Sequence, residues 1–316
     1  MQRLTWWRHY GTELRVVGLL ALCLGAIAFV INWRHFFPPS MKGVAVVDMY
    51  LPGWMVESTL LKDNMEEYQA LHPKVMVRLH ALTGAGLERL EARWRSGKAS
   101  GDLALVPSVR ARQWAQAGLL AEWQGFFDMQ MTPDSFLPAF RECGKVGGKQ
   151  YLMPVLGQPV LVAVRKGAPA YPGLRAGKLA VGAASYQPAL VQAVSRGQGP
   201  AQAEQWCQAR QGVAKPDYLL TLYPEQAGRL GPGATWTAPA AGRPSAVVVQ
   251  GLVIPKSNRH YDLSVELARE YLMDPKLLGA SRWPHGLPVL RRYYQEDKDK
   301  FPGNLLPTLE RSLPAS

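Results

Sequence analysis

The residues best placed for chemistry in this chain are hydroxyls and rings that follow short apolar runs. Tyr50 ends the run that starts at Gly43, and Trp54 follows the turn at Pro52-Gly53. Thr83-Gly84 come after a run ending at Leu82, and Ser108 after Asp102–Val106. Further on, Ser185-Tyr186 follow Leu179–Ala183, and Tyr223 follows Tyr218–Leu222. In parallel α/β sheets, ligands bind beyond the carboxyl ends of the strands. Helix N-terminal N–H groups and hydroxyls there hold anionic or polyhydroxyl molecules. Tyr50, Trp54, Thr83, Gly84, Ser108, Ser185, Tyr186 and Tyr223 are therefore the candidate ligand-binding set. Plainer roles stay open for several. Thr83 and Ser108 also suit helix caps, and Trp54 suits a core or interface aromatic as well as a stacking platform.

Catalysis has no comparable set. None of the Gly-Lys pairs is followed by Ser or Thr, as a phosphate-binding loop requires. There is no HExxH and no GxSxG. Gly84-Ala-Gly86 opens a helix after a strand, but Arg89 stands where a dinucleotide fingerprint needs its third glycine. The six histidines show no ligand spacing, and only His80, near a strand end, stands out. Cys23, Cys143 and Cys207 form no CxxC, so no zinc knuckle is expected. A Cys143–Cys207 disulfide is left open. The expectation is a chain with no catalytic residues, no metal and no cofactor.

The elements that must hold these residues alternate. Gly43–Tyr50 reads as a buried strand, and Leu61, Met65 and Tyr68 mark a helix over 55–71 that stops at His72-Pro73. Lys74–Leu82 is a second strand, a helix runs from Thr83 to Gly97, and Asp102–Val106 is a third strand. Ser108 is expected to cap the helix ending at Gly118, and Thr132-Pro133 to start another. This β-α-β-α-β-α order predicts a parallel sheet with helices on both faces. Two extended apolar stretches, 151–166 and 246–256, enclose a smaller unit. It has strands at Leu179–Ala183 and Tyr218–Leu222 and helices from Tyr186 and near Gln202–Arg210. Residues 257–316 read as mostly helical, best patterned over Asp262–Met273. Two units joined by two crossings place a cleft between them.

The chain has 316 residues and a formal net charge of +12, unevenly spread. Residues 1–42 carry +4, 43–155 none, 156–245 +6 and 246–316 +2. A uniformly basic protein that coats nucleic acid would not divide its charge this way. Val16–Trp33 is apolar almost throughout, about long enough to cross a bilayer. Arg3, Arg8 and Arg15 before it orient the N-terminus toward the cytoplasm, and Trp6, Trp7, Trp33, Phe36 and Phe37 flank it. The reading is a retained anchor over 16–34, with 1–15 cytoplasmic, 35–42 a spacer and the rest outside the cytoplasm. A cleaved signal peptide is the competing reading, although no A-x-A site follows. Lipidation at Cys23 fits less well, because Leu22 precedes it and it lies in mid-run. In each case the bulk acts outside the cytoplasm.

Five stretches, in order, resemble a known family. They are Asn64–Val77, Thr83–Leu90 with Gly101–Ser108, Gly118-Leu-Leu120, Gly148–Pro154, and Gly251–Ser257 running on to Asp274-Pro275. Together they look like the extracytoplasmic solute-binding proteins of ABC importers. The resemblance implies a type 2 periplasmic-binding-protein-like fold: lobe 1 from 43–157 plus 246–316, lobe 2 from 158–245, and hinge closure on a small solute. It also implies permease and ATPase partners, and no nucleic acid. A sensory or interaction module of the cell envelope, without transport, is the alternative. Two features depart from the family: lobe 2 is short, with Leu161–Arg165 where sugar-binding members carry a Tyr-Asn pair, which in size is closer to members that bind oxyanions, metals or similar small solutes; and the anchor is retained, whereas many relatives are released or lipidated. The basic lobe 2 is expected either to face something negative or to be a solvated basic surface.

Overall fold

The computed structural model describes residues 44–97, 103–124, 131–182, 187–195, 200–223, 230, 234–239, 245–274, 276–277, 285–296, 301 and 305–314. The proposed anchor, Ser185 and Tyr186 lie outside the described residues. Two compact units are distinguished, Met1–Ala45 with Lys74–Met76 and Val46–Pro73 with Val77–Ser316. All the site residues considered below belong to the second.

The first half alternates strand and helix. β1 (Ala45–Pro52) leads through the short α1 (Gly53–Val56) to α2 (Thr59–Leu71), β2 (Val75–Leu82), α3 (Gly84–Arg95), β3 (Leu103–Pro107) and α4 (Ser108–Gln116). The one helix expected over 55–71 breaks at Ser58. Its backbone is extended, and its hydroxyl accepts the Leu61 N–H at 3.5 Å, capping α2. Leu61, Met65 and Tyr68 recur on one face of α2 and are buried, each aliphatic side chain contributing about 1.5–3 kcal/mol. Thr83 caps α3 as expected, accepting the Gly86 N–H at 3.1 Å. Ser108 does not cap α4. That position falls to Pro107, and the Ser108 hydroxyl instead accepts the Val249 N–H at 3.2 Å. The helix expected from Thr132 is only a 3-10 turn, Pro133–Ser135, with α5 (Pro138–Glu142) after it.

A hairpin of β4 (Lys145–Val146) and β5 (Lys149–Gln150) precedes the long β6 (Met153–Val164). Next come β7 (Leu179–Val181), α6 (Gln187–Val194), α7 (Pro200–Gln211), β8 (Tyr218–Leu222), β9 (Thr235–Thr237) and β10 (Ala246–Val253). The chain ends with α8 (Tyr261–Leu267) running into a π turn (Ala268–Leu272), β11 (Leu287–Pro288), α9 (Arg291–Glu296), α10 (Leu305–Glu310) and β12 (Leu313–Pro314). Among the described residues of the tail, expected to be mostly helical, two short strands stand beside the helices. These strands form because β6 and β10 have edges to pair with.

Ten strands make one sheet in the order β2-β1-β3-β10-β6-β8-β7, with β9 and β11 on β6 and β12 on β10. β1 and β3 are parallel, as are β7 and β8. β10 is antiparallel to both β3 and β6, and β6 is antiparallel to β8. β6 therefore serves two groups of strands. Met153–Pro159 lie against β10, and Val160–Val164 lie against β8. The second group has its own core, in which Val160, Val162, Leu179, Val181, Leu220 and Leu222 are fully buried. Cys143 and Cys207 are buried free thiols.

Gly157 sits where β6 passes under α5, and a Cβ there would run into the Phe140 ring. Overpacking of this kind costs about 1–3 kcal/mol. Gly157→Ala should lower the urea midpoint accordingly, and an unchanged midpoint would show that the ring yields freely.

On β1, Val47, Met49 and Leu51 are fully buried on one face, while Asp48 and Tyr50 face the other. Asp48, 8 % exposed, accepts hydrogen bonds from Arg78 Nε and Nη2 at 2.8 and 2.7 Å and lies 2.7 Å from His80 Nε2. Burial opposes its ionisation, but the Arg78 and His80 bonds outweigh burial and hold the carboxyl below its ordinary range. The pair's contribution is thus fully present above the unfolded pKa of about 3.9 and is lost as pH falls through the lower folded value. Asp48→Asn should cost about 1–2 kcal/mol at pH 7, with the difference from the parent vanishing under acid. Chemical denaturation at pH 7 and at successively lower pH measures this, and a gap that does not shrink as the pH falls would contradict it.

Candidate functional site

The midpoint of β6 gathers polar and aromatic groups from both halves of the sheet. Gln158 is the one polar side chain in β6, and Gln250 the one in β10. Val248 lies opposite Gln158 and Gln250 opposite Leu156, so the two glutamines are diagonal neighbours on one face. The Gln250 amide donates to Gln158 Oε1 at 3.3 Å. Gln250 also lies opposite Pro107, the last residue of β3. Ser108 follows directly, with its hydroxyl held by Val249. The carboxyl end of β3 thus abuts the glutamine pair.

Two further segments converge here. β11 pairs Leu287 with Gly157, which brings Gly286 beside Gln158. Gly286 has φ +153°, and an added Cβ would stand 3.0 Å from Leu156 Cβ and 3.1 Å from the Gly157 carbonyl oxygen. Only glycine fits that approach. The preceding His285 stacks on Trp54, centroids 3.9 Å apart and planes 9° apart. Burial pushes the His285 imidazole below its ordinary pKa, which favours the neutral ring. From the other half, the Tyr223 N–H donates to the Pro159 carbonyl at 2.9 Å. Its ring meets Trp236 edge-on at 4.8 Å, and burial raises its phenol pKa. Thr221, two residues earlier, is fully buried, and its hydroxyl has no partner among the described residues.

The candidate residues therefore divide. Trp54, Ser108 and Tyr223 border the β6 midpoint. Tyr50 belongs to the Asp48 cluster, stacked on His80 at 4.7 Å and receiving a hydrogen bond from Arg93 at 3.4 Å. Thr83 and Gly84 are exposed at the start of α3. Gln158, Gln250 and His285 were not expected. A lone glutamine in an otherwise apolar strand was a readable signal, whereas the His285 stack depends on tertiary pairing alone. The +6 of residues 156–245 is not at this midpoint in the residues described. Arg165 and Lys178 lie 3.6 and 3.2 Å from Asp217, seven residues along β6 from Gln158, or roughly 23 Å at 3.3 Å per residue. A separate cavity of about 180 Å³, lined by Asp134, Ser135, Arg291, Arg292 and Gln295 among others, is small for a ligand site. Among the described residues no three His, Cys, Asp or Glu side chains gather as a metal site, and no helix is long and apolar enough to cross a membrane.

No family model and no curated protein matches the sequence. Solved structures do match in fold. The sugar-binding protein MalE from the phytopathogen Xanthomonas citri superposes with a TM-score of 0.64 at 15% identity, over 86% of this chain and 87% of that one. The spermidine/putrescine ABC transporter substrate-binding protein PotD from Streptococcus pneumoniae gives 0.61 at 10%, over 86% and 92%. The fold is that of the two-lobe type 2 periplasmic binding proteins. Thiaminase I from Bacillus thiaminolyticus also shares it, at 0.59 and 12% identity over 85% and 94%, so the binding-protein fold serves an enzyme too.

Because the Thr221 hydroxyl is buried without a partner among the described residues, replacing it with a methyl should remove a desolvation penalty. Thr221→Val should raise the stability of the unliganded protein by about 1 kcal/mol in urea titration. A loss of stability would mean that the hydroxyl is hydrogen-bonded.

Proposed function

We propose that this chain is a solute-binding protein that captures a small molecule at the β6 midpoint by closing its two lobes around it. The observation that carries the reading is the Gln158–Gln250 pair. Two amides, with donors and acceptors to offer, stand in otherwise apolar strands where β6 passes from one lobe to the other. The Trp54–His285 stack lies nearby, because His285 directly precedes Gly286, the residue beside Gln158. These groups bind and orient rather than transfer atoms, which favours capture over catalysis.

The wider setting follows from the sequence. Residues 16–34 supply a tether that leaves the lobes outside the cytoplasm, supported by the apolar run and the arginines before it. The solute would then pass to a permease and an ATPase of an ABC importer, the partners with which proteins of this kind work.

The full chain, with membranes or detergent as needed, is the material for the test. It is heated with pooled sugars, polyols, amino acids, polyamines, nucleosides and oxyanions. A solute at about 100 times its Kd stabilises by about 2.7 kcal/mol, a rise in Tm of about 5–10 °C for a protein of this size. One pool should give such a rise. No rise with any pool would remove the solute-binding reading.

A further inference from the structure

We infer that the β6 site takes an uncharged solute whose ring replaces the His285 imidazole on Trp54 and whose hydroxyl or amide groups meet Gln158 and Gln250. This rests on the solute-binding reading above and names the class of solute for that same site.

Three observations carry it. First, the imidazole already lies flat on Trp54, 3.9 Å between centroids and 9° between planes. That indole face therefore accepts a flat neutral ring at contact distance. Second, the close fit of Gly286 against Leu156 and Gly157 holds the neighbouring backbone in place, so exchange of the imidazole for a solute ring is a matter of the His285 side-chain torsions. Third, the polar groups at the midpoint are amides. An amide donates and accepts, so it suits hydroxyl and amide partners, but it supplies no net charge to offset the hydration an ion would give up between apolar strands. Among the described residues of 156–245, Arg165 and Lys178 pair with Asp217 at the far end of β6.

The imidazole then competes with the solute for Trp54, which makes a distinctive prediction. Removing it should tighten binding rather than weaken it. The full chain is titrated calorimetrically with maltose and nicotinamide as uncharged rings, D-mannitol as an uncharged open chain, spermidine as a cation and inorganic phosphate as an anion. At least one ring compound should bind. Its affinity should rise about 3-fold to 10-fold in His285→Ala and fall at least 10-fold in Trp54→Ala and in Gln158→Ala. The gain in His285→Ala needs no loss of function, so it stands even where another variant fails to fold. Maltose and nicotinamide separate a sugar ring from a heteroaromatic one. Binding by spermidine, phosphate or mannitol with both rings silent overturns the inference but leaves solute capture in place. So does ring binding that His285→Ala leaves unchanged or weakens. Silence with all five hands the decision to the pooled screen: an uncharged ring as its hit supports the inference, a charged or open-chain hit overturns it, and no hit removes solute capture itself.

Discussion

A β-strand has two edges, and how β6 fills them organises the rest of the molecule. Its first part lies between β10 and β11, and its last part between β8 and β9. The change of neighbours falls at Gln158–Pro159. Proline brings no N–H there, and its carbonyl takes the Tyr223 N–H. One unbroken strand thus joins both groups of strands, and its side chains at the changeover lie where the two groups meet. Gln250 is brought to the same place by the second crossing strand. Trp54 arrives from α1, His285 from the turn before β11 and Tyr223 from the turn after β8.

Electrostatics reinforces this arrangement by keeping charge elsewhere. Asp217 gathers Arg165 and Lys178 at the remote end of β6, and Asp48 gathers Arg78 and His80 on the β1–β2 face. In both clusters a largely buried carboxylate is met by an arginine or lysine that remains partly in water, Arg78 in one and Arg165 with Lys178 in the other, so neither carboxylate is left unpaired. Among the described residues, the side chains named at the midpoint of β6 are amides and aromatic rings.

Much of this was legible in the sequence. Tyr218–Leu222 is a strand at the bounds its apolar run suggests, and the Thr83 cap follows from a hydroxyl three residues ahead of a free N–H. The two crossing stretches are visible as apolar runs too long for surface loops. Other features were not legible, for physical reasons. Ser108 has the chemistry of a cap, but a strand 141 residues away in sequence claims its hydroxyl, and no local pattern records that. Ser58 breaks a helix that periodicity alone would continue, because capping overrides spacing. Gln158 and Gln250 looked like interruptions of a pattern when they were the informative residues. His285 reaches Trp54 only after β11 has paired with β6, a contact between segments with no shared periodicity.

The most direct measurement is an experimental structure of the chain with the solute that stabilises it. The account predicts that solute at the midpoint of β6, in contact with Gln158 and Gln250 and stacked on Trp54, with His285 moved aside. A solute held elsewhere, for instance in the cavity beside Arg291 and Arg292, with His285 still on Trp54, would contradict it.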